Sequence, residues 1–249
     1  MKGWRVLVTR PDPGELSRRL LARGAVPIAI PMIEIRDVPP GGPLDAAARS
    51  LGDHGWVVMT SANGVRALFD RLRALEIEPP ASLRWAAVGP ATAAALEAEG
   101  VRVEGVPIAG RGGAIAAELG ELAGVSVLLP RARIASGELP SSLAARGAIV
   151  HDVPAYDTVI GPESSRAPLA RALDAGIQAV FFTSGSTVAG FSRLVGDLRA
   201  ALSGVVTVCL GPVTARALQG AGVGPSRVAR VRSPEALVEA LEEVAHARA

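Results

Sequence analysis

Gly211-Pro212-Val213-Thr214-Ala215 follows the apolar run Val206 to Leu210 and opens a small-residue, helix-like run from Leu218 to Gly222. Gly89-Pro90-Ala91-Thr92-Ala93 has the same form: it follows Trp85 to Val88 and leads into Leu96 to Gly100. Each reads as strand, tight turn and helix, with proline in the first helical turn, where its missing N–H leaves no bond unmade. Such a turn aims free backbone amides and a hydroxyl past the strand end, an arrangement suited to anions. Two copies half a chain apart predict two related α/β units.

Two further pairs recur at nearly the same offset. Val57-Val58-Met59-Thr60-Ser61 matches Val180-Phe181-Phe182-Thr183-Ser184, and Ala22-Arg23-Gly24-Ala25 matches Ala145-Arg146-Gly147-Ala148. The Pro/Gly-rich breaks do not fall at the midpoint: one is Val38 to Pro43, the other Ile160 to Pro168. A chain that starts in one domain, completes a second and returns satisfies both observations. The expected boundaries are residues 1–36 plus 161–249 for a discontinuous domain and 42–154 for an inserted one, with crossings at 37–41 and 155–160. Between the breaks, buried strands are expected at Trp56 to Met59, Trp85 to Val88, Val101 to Val106 and Val125 to Leu129. Trp4 to Thr9, Ala179 to Phe182 and Val206 to Leu210 supply others, with helices between. Apolar strands alternating with helices predict parallel sheets covered on both faces.

The bulk composition narrows the function. The chain has 249 residues, of which 49% are hydrophobic, and 26 Lys+Arg nearly balance 24 Asp+Glu, so a filled core is expected. Lysine occurs only at Lys2, and the arginines form no basic run, which argues against a nucleic-acid partner. Cys209, in an apolar strand, rules out an internal disulfide and fits a reducing compartment. His54, His151 and His246 lack ligand-like spacing, so no metal site is expected. No run of about eighteen apolar residues and no export signal is visible, so a cytoplasmic protein without membrane contact is expected. Nothing calls for a partner subunit, and a monomer is expected.

Taken in order, Val8-Thr9-Arg10-Pro11, Thr60-Ser61-Ala62-Asn63-Gly64, Val88-Gly89-Pro90-Ala91-Thr92-Ala93, Leu129-Pro130-Arg131, Tyr156-Asp157-Thr158, Phe182-Thr183-Ser184-Gly185-Ser186 and Leu210-Gly211-Pro212-Val213-Thr214-Ala215 give the chain its family likeness. It resembles the uroporphyrinogen-III synthases over nearly its full length; no single motif is specific, but the ordered set is. The resemblance implies two similar α/β domains, each a parallel sheet flanked by helices, joined by a two-stranded β-ladder, with a site in the cleft between them. It implies cyclisation of hydroxymethylbilane, a linear tetrapyrrole with eight carboxylates, to uroporphyrinogen III with inversion of the last ring and without metal or organic cofactor.

For such a substrate, Ser61, Asn63, Ser184 and Ser186 stand at helix starts where amides and hydroxyls can bind carboxylates. The plain alternative is that they only cap their helices. Arg10 and Arg131 end equivalent strands and are candidates for bidentate carboxylate contacts; the alternative is a surface ion pair. Thr92 and Thr214 are further binding candidates, with turn stabilisation as the simpler role. Gly110 to Gly113 reads as a loop or a further amide-rich edge. Tyr156, the only tyrosine, is matched by the family to a cleft-facing position and is the candidate proton donor to the departing hydroxyl. A hinged two-domain binding protein for a small polyanion shares this plan, and a sugar-phosphate isomerase shares the Thr183 to Ser186 loop but would call for a His or Glu base beside it.

Overall fold

The structure is a computed structural model and describes residues 1–105 and 112–247, the side chains of 112–114 excepted. In chain order the elements are β1 (Arg5–Val8), α1 (Gly14–Ala22), β2 (Val26–Ala29), β3 (Ile33–Asp37), α2 (Pro43–Arg49), β4 (Trp56–Met59), α3 (Ala62–Ala74), β5 (Arg84–Ala87), α4 (Pro90–Ala98), β6 (Val103–Gly105), α5 (Gly112–Glu118), β7 (Ser126–Ala132), α6 (Glu138–Ala144) and β8 (Ile149–Ile160). There follow α7 (Arg166–Asp174), β9 (Ala179–Phe182), α8 (Gly185–Val195), α9 (Leu198–Ala201), β10 (Val206–Cys209), α10 (Pro212–Gly220), β11 (Arg227–Val228) and α11 (Pro234–Ala247). Contacts divide the chain into a terminal unit, Met1–Glu34 with Val159–Ala249, and a central unit, Ile35–Thr158.

The terminal unit holds a five-stranded sheet in the order β11-β10-β9-β1-β2. All its pairings are parallel, with Val6 opposite Ala179 and Phe182 opposite Cys209. Parallel strands carry side chains into a core on each face. On one side Leu7, Val180, Phe182 and Cys209 pack with Phe191 and Leu218; on the other, Val6, Val8, Phe181 and Val208 pack with Leu16 and Leu237. Fully burying each Leu or Phe contributes about 1.5–3 kcal/mol. Pro27 lies in β2, an edge strand, where its missing N–H breaks no ladder on the outer side. Helices α1 and α11 are tied by Glu235, which pairs with Arg19 and Arg23, and by Glu242, 3.3 Å from Arg23.

The central unit's sheet runs β3-β8-β7-β4-β5-β6. The pairs β4–β5, β4–β7, β5–β6 and β7–β8 are parallel, with Trp56 opposite both Arg84 and Val127. Val57, Met59, Leu68, Trp85 and Leu128 build one core; Trp56, Val58, Ile115, Val127 and Leu143 build the other. The loop before α2 is held by Asp45, which accepts from Gly41 N at 2.9 Å and faces Arg71 at 3.1 Å, while Arg71 donates to the Val38 carbonyl.

The α/β class with helix-flanked parallel sheets is as expected; several element ends differ. Pro130 and Arg131 do not turn away after Leu129: β7 continues through Ala132, because β8 runs alongside it. The second proline-rich break is mostly ordered structure, since β8 reaches Ile160 and Pro168 sits in the first turn of α7. Strand β3 lies next to β8, and β8 is also paired with β7, so the three belong to one sheet. The strand near Val228 is only two residues long.

Candidate functional site

In the central unit, α3 begins where β4 ends. Ser61 is its N-cap: the extended backbone (φ −157°, ψ 152°) lets Ser61 Oγ accept from Gly64 N at 3.1 Å. The space at Gly64 is tight: a Cβ would lie 3.1 Å from the Pro130 carbonyl oxygen and 3.2 Å from Met59 Cε. The same Ser61 oxygen is 2.9 Å from the Tyr156 hydroxyl. Tyr156 is only 6% exposed. It comes to this place through a bulge: Arg131 pairs with Pro154, but Ala132 pairs with Tyr156, so Ala155 is the extra residue on β8. Asn63 lies exposed in the same first turn of α3.

On the neighbouring strand end, Gly89 precedes Pro90 at the start of α4, and Thr92 is buried in its first turn. Its hydroxyl has no hydrogen-bond partner among the described residues. Arg131 is turned inward. Its guanidinium meets Asp152 bidentately, with Nε–Oδ1 2.7 Å and Nη2–Oδ2 2.5 Å, and donates from Nη1 to the Ser136 carbonyl. With the side chain 7% exposed, its carboxylate is the protein's own. Beside Tyr156, Asp157 pairs with Arg133 at 2.6 Å.

The terminal unit repeats the plan with different side chains. Ser184 caps α8 in a reciprocal box: Ser184 Oγ accepts from Thr187 N, and Ser184 N donates to Thr187 Oγ1, both at 3.2 Å. Ser184 Oγ also meets Ser186 Oγ at 2.8 Å. On the next strand, Gly211 and Pro212 start α10, and Thr214 is buried in its first turn without a partner for its hydroxyl among the described residues. Arg10, half-buried after β1, is likewise unpaired among them.

The structure therefore brings Ser61 to Tyr156 and Ser184 to Ser186, sets Thr92 and Thr214 on adjacent strand ends of their own units, and commits Arg131 to Asp152. Gly110 lies outside the described residues, as does the start of the glycine cluster it opens. Cys209 is core: burial pushes its thiol up to about 12, so it stays protonated. Sequence reasoning missed the Ser61–Tyr156 bond, since the two residues are far apart in the chain. It also missed the Arg133–Asp157 pair, although Asp157 adjoins the tyrosine. No helix among the described residues is long and apolar enough to cross a membrane.

Comparison with known proteins bears on what this arrangement serves. A family model described as "Uroporphyrinogen-III synthase HemD" matches residues 14–239. A uroporphyrinogen-III synthase from Synechococcus elongatus is 32% identical over 228 residues, covering 85% of this chain and 84% of that protein. A porphyrin biosynthesis protein HemD from Ruminiclostridium josui is also 32% identical, over 86% of this chain; the chain spans 44% of that protein's length. Among solved structures, a mutant uroporphyrinogen III synthase from Thermus thermophilus superposes with TM-score 0.72 at 22% identity, covering 98% of this chain and 99% of that one. A uroporphyrinogen-III synthetase from Helicobacter pylori gives 0.63 at 19% identity, covering 98% and 100%. These last two are likenesses of fold. The match of the family model to most of the sequence decides membership: the chain belongs to the uroporphyrinogen-III synthase family.

Proposed function

We propose that the chain is a lyase that closes hydroxymethylbilane to uroporphyrinogen III, with loss of water and inversion of the last ring, and that Tyr156 is its proton donor. The observation that carries the proposal is the 2.9 Å contact between Tyr156 Oη and Ser61 Oγ at the start of α3. Ser61 Oγ accepts from Gly64 N, so its own hydrogen is free to point at the phenol oxygen. In that arrangement the phenol hydrogen points away from Ser61, toward a ligand. When the substrate's terminal hydroxyl leaves, it takes this proton and departs as water, leaving the azafulvene in its N-protonated, cationic form. The phenolate so formed accepts from Ser61 Oγ–H, with the N-terminal amides of α3 behind it. The last ring attacks the azafulvene carbon from its own substituted α-carbon, giving the spiro intermediate. That intermediate fragments and recloses with the ring inverted. The hydrogen shed as the new pyrrole regains aromaticity restores the balance of protons.

Substrate carboxylates, on this reading, meet the amides and hydroxyls at the starts of α3, α4, α8 and α10, through Ser61, Asn63, Thr92, Ser184, Ser186 and Thr214. Because the linear tetrapyrrole also closes unaided to the non-inverted isomer, much of the protein's work is holding a geometry. The test is direct. Freshly generated hydroxymethylbilane is incubated with the protein, the products are oxidised and the isomers separated. A type III product is expected, and only type I, as in a protein-free control, sinks the proposal.

A further inference from the structure

We infer that the two repeats have diverged in role, and that the sheet edge of the terminal unit is the carboxylate anchor of the reaction proposed above, with Arg232 and Arg10 as its cationic ends. The inference depends on that reaction. Strands β11, β10, β9 and β1 are neighbours and parallel, so their C-terminal ends share one edge. Along it lie Arg232 after β11, Gly211 to Thr214 after β10, Ser184 and Ser186 after β9, and Arg10 after β1. Three inter-strand spacings make this strip about 14 Å long. A multiply carboxylated chain of rings can lie along it with an anionic group at each end.

Three observations point to a ligand. First, neither Arg232 nor Arg10 has an ion-pair or hydrogen-bond partner among the described residues. Second, their local setting does not favour a cation. Each guanidinium belongs to a loop just ahead of a helix, α11 or α1, where the helix dipole disfavours a cation. On the flanking segments, Asp12 accepts from Gly14 N, Glu235 binds Arg19 and Arg23, and Glu243 binds Arg227 and Arg230. The Arg232 stem instead lies along the anion-receptive turn. A Cβ on Gly211 would stand 3.7 Å from its Cγ and 3.9 Å from its Cδ.

Third, Thr214 is 5% exposed and its hydroxyl is unpartnered. Among the described residues, Asp45 Oδ1 is the one fully enclosed side-chain N or O atom without a hydrogen bond. The Thr214 oxygen therefore keeps some accessible surface, at the first turn of α10, whose strand β10 lies between β11 and β9. The central unit differs in kind. Its Arg131 is neutralised by Asp152, and its edge keeps hydroxyls and Tyr156. One repeat has kept the charge for holding carboxylates, and the other has acquired the proton donor.

Steady-state kinetics on the intact chain test this. Arg232→Gln and Arg10→Gln are each expected to raise KM for hydroxymethylbilane about tenfold with kcat within about twofold, the signature of a lost binding contact to a charged group. Arg230→Gln, removing an arginine already paired with Glu243, should match the unaltered protein. A second readout needs no turnover. Uroporphyrin III, with eight carboxylates, should bind more tightly than coproporphyrin III, with four, and Arg232→Gln should shrink that preference. An Arg232→Gln protein with unchanged KM and unchanged preference overturns the inference while leaving the synthase reading intact. An unaltered protein that yields only the type I isomer removes the synthase reading itself, whatever Arg232 does.

Discussion

At the scale of single residues, the proposed chemistry centres on one oxygen, Ser61 Oγ, which caps α3 and touches Tyr156. These duties separate by substitution. Tyr156→Phe removes the proposed donor and should lower turnover by about tenfold to a hundredfold, the low end of general-acid contributions, because the departing hydroxyl also leaves unaided. Ser61→Ala removes both the cap and the bond to the phenol. It should cost about 1 kcal/mol of stability and slow turnover, and Ser61→Thr should restore both. If Ser61→Ala slows turnover equally in the Tyr156→Phe background, the two residues act independently and the pairing has no catalytic meaning. His54 makes a separate prediction. Burial, and the neighbouring His151 ring 4.9 Å away, hold its imidazole below the ordinary 6.5, against a smaller opposing pull from Asp53. The unfolded chain then binds the proton more readily, so stability is full above about pH 6.5 and falls as pH drops below it. Thermal melts from pH 7.5 to 5 should show that fall, and His54→Gln should flatten it; an unchanged slope in His54→Gln contradicts the assignment.

At the scale of elements, the starts of α3, α4, α8 and α10 were readable because their signals are local: Ser61 and Ser184 before small residues, and Pro90 and Pro212 just inside α4 and α10. Strand ends were less readable. The expected strand ends at Leu129, yet β7 runs on through Pro130 and Arg131 because β8 supplies a partner, and Arg131 finds Asp152 across that pairing. No local signal announces that partner. The bulge at Ala155 is likewise a product of pairing, although Pro154 marks the spot. A further packing device is equally invisible in sequence. Gly190, within α8, lies against the Met32 carbonyl, which accepts from Gly161 N at 2.9 Å just beyond β8. A Cβ on Gly190 would sit 2.9 Å from Met32 C and closer still to its oxygen, with backbone on both sides and no flexible end to yield. Gly190→Ala should therefore destabilise by about 3 kcal/mol or more, as overpacking against backbone does. Gly176→Ser, where nothing lies within 4 Å of a Cβ but φ is +78°, separates strain from overlap and should cost only about 1 kcal/mol. Denaturant midpoints order the two, and equal losses would remove the packing argument.

At the scale of the whole molecule, the repeat was legible because three separate matches share an offset, and the α/β class because apolar strands alternate with capped helices. How the two copies differ in their side-chain surroundings was not legible. Ser61 and Ser184, or Arg10 and Arg131, look equivalent in sequence. They part only in their surroundings, Tyr156 against Ser186 and an unpaired guanidinium against one closed on Asp152. Each unit closes its own pair of cores around its own sheet. That arrangement predicts unfolding in two steps, which the tryptophans can read, since Trp4 belongs to the terminal unit while Trp56 and Trp85 are buried in the central one. In single-tryptophan variants under urea, Leu68→Ala should move the transition seen by Trp85 by about 2–5 kcal/mol and leave that of Trp4 in place. Gly190→Ala should do the reverse. If both probes always report one shared midpoint, the units fold as a single cooperative body and their cores are not independent.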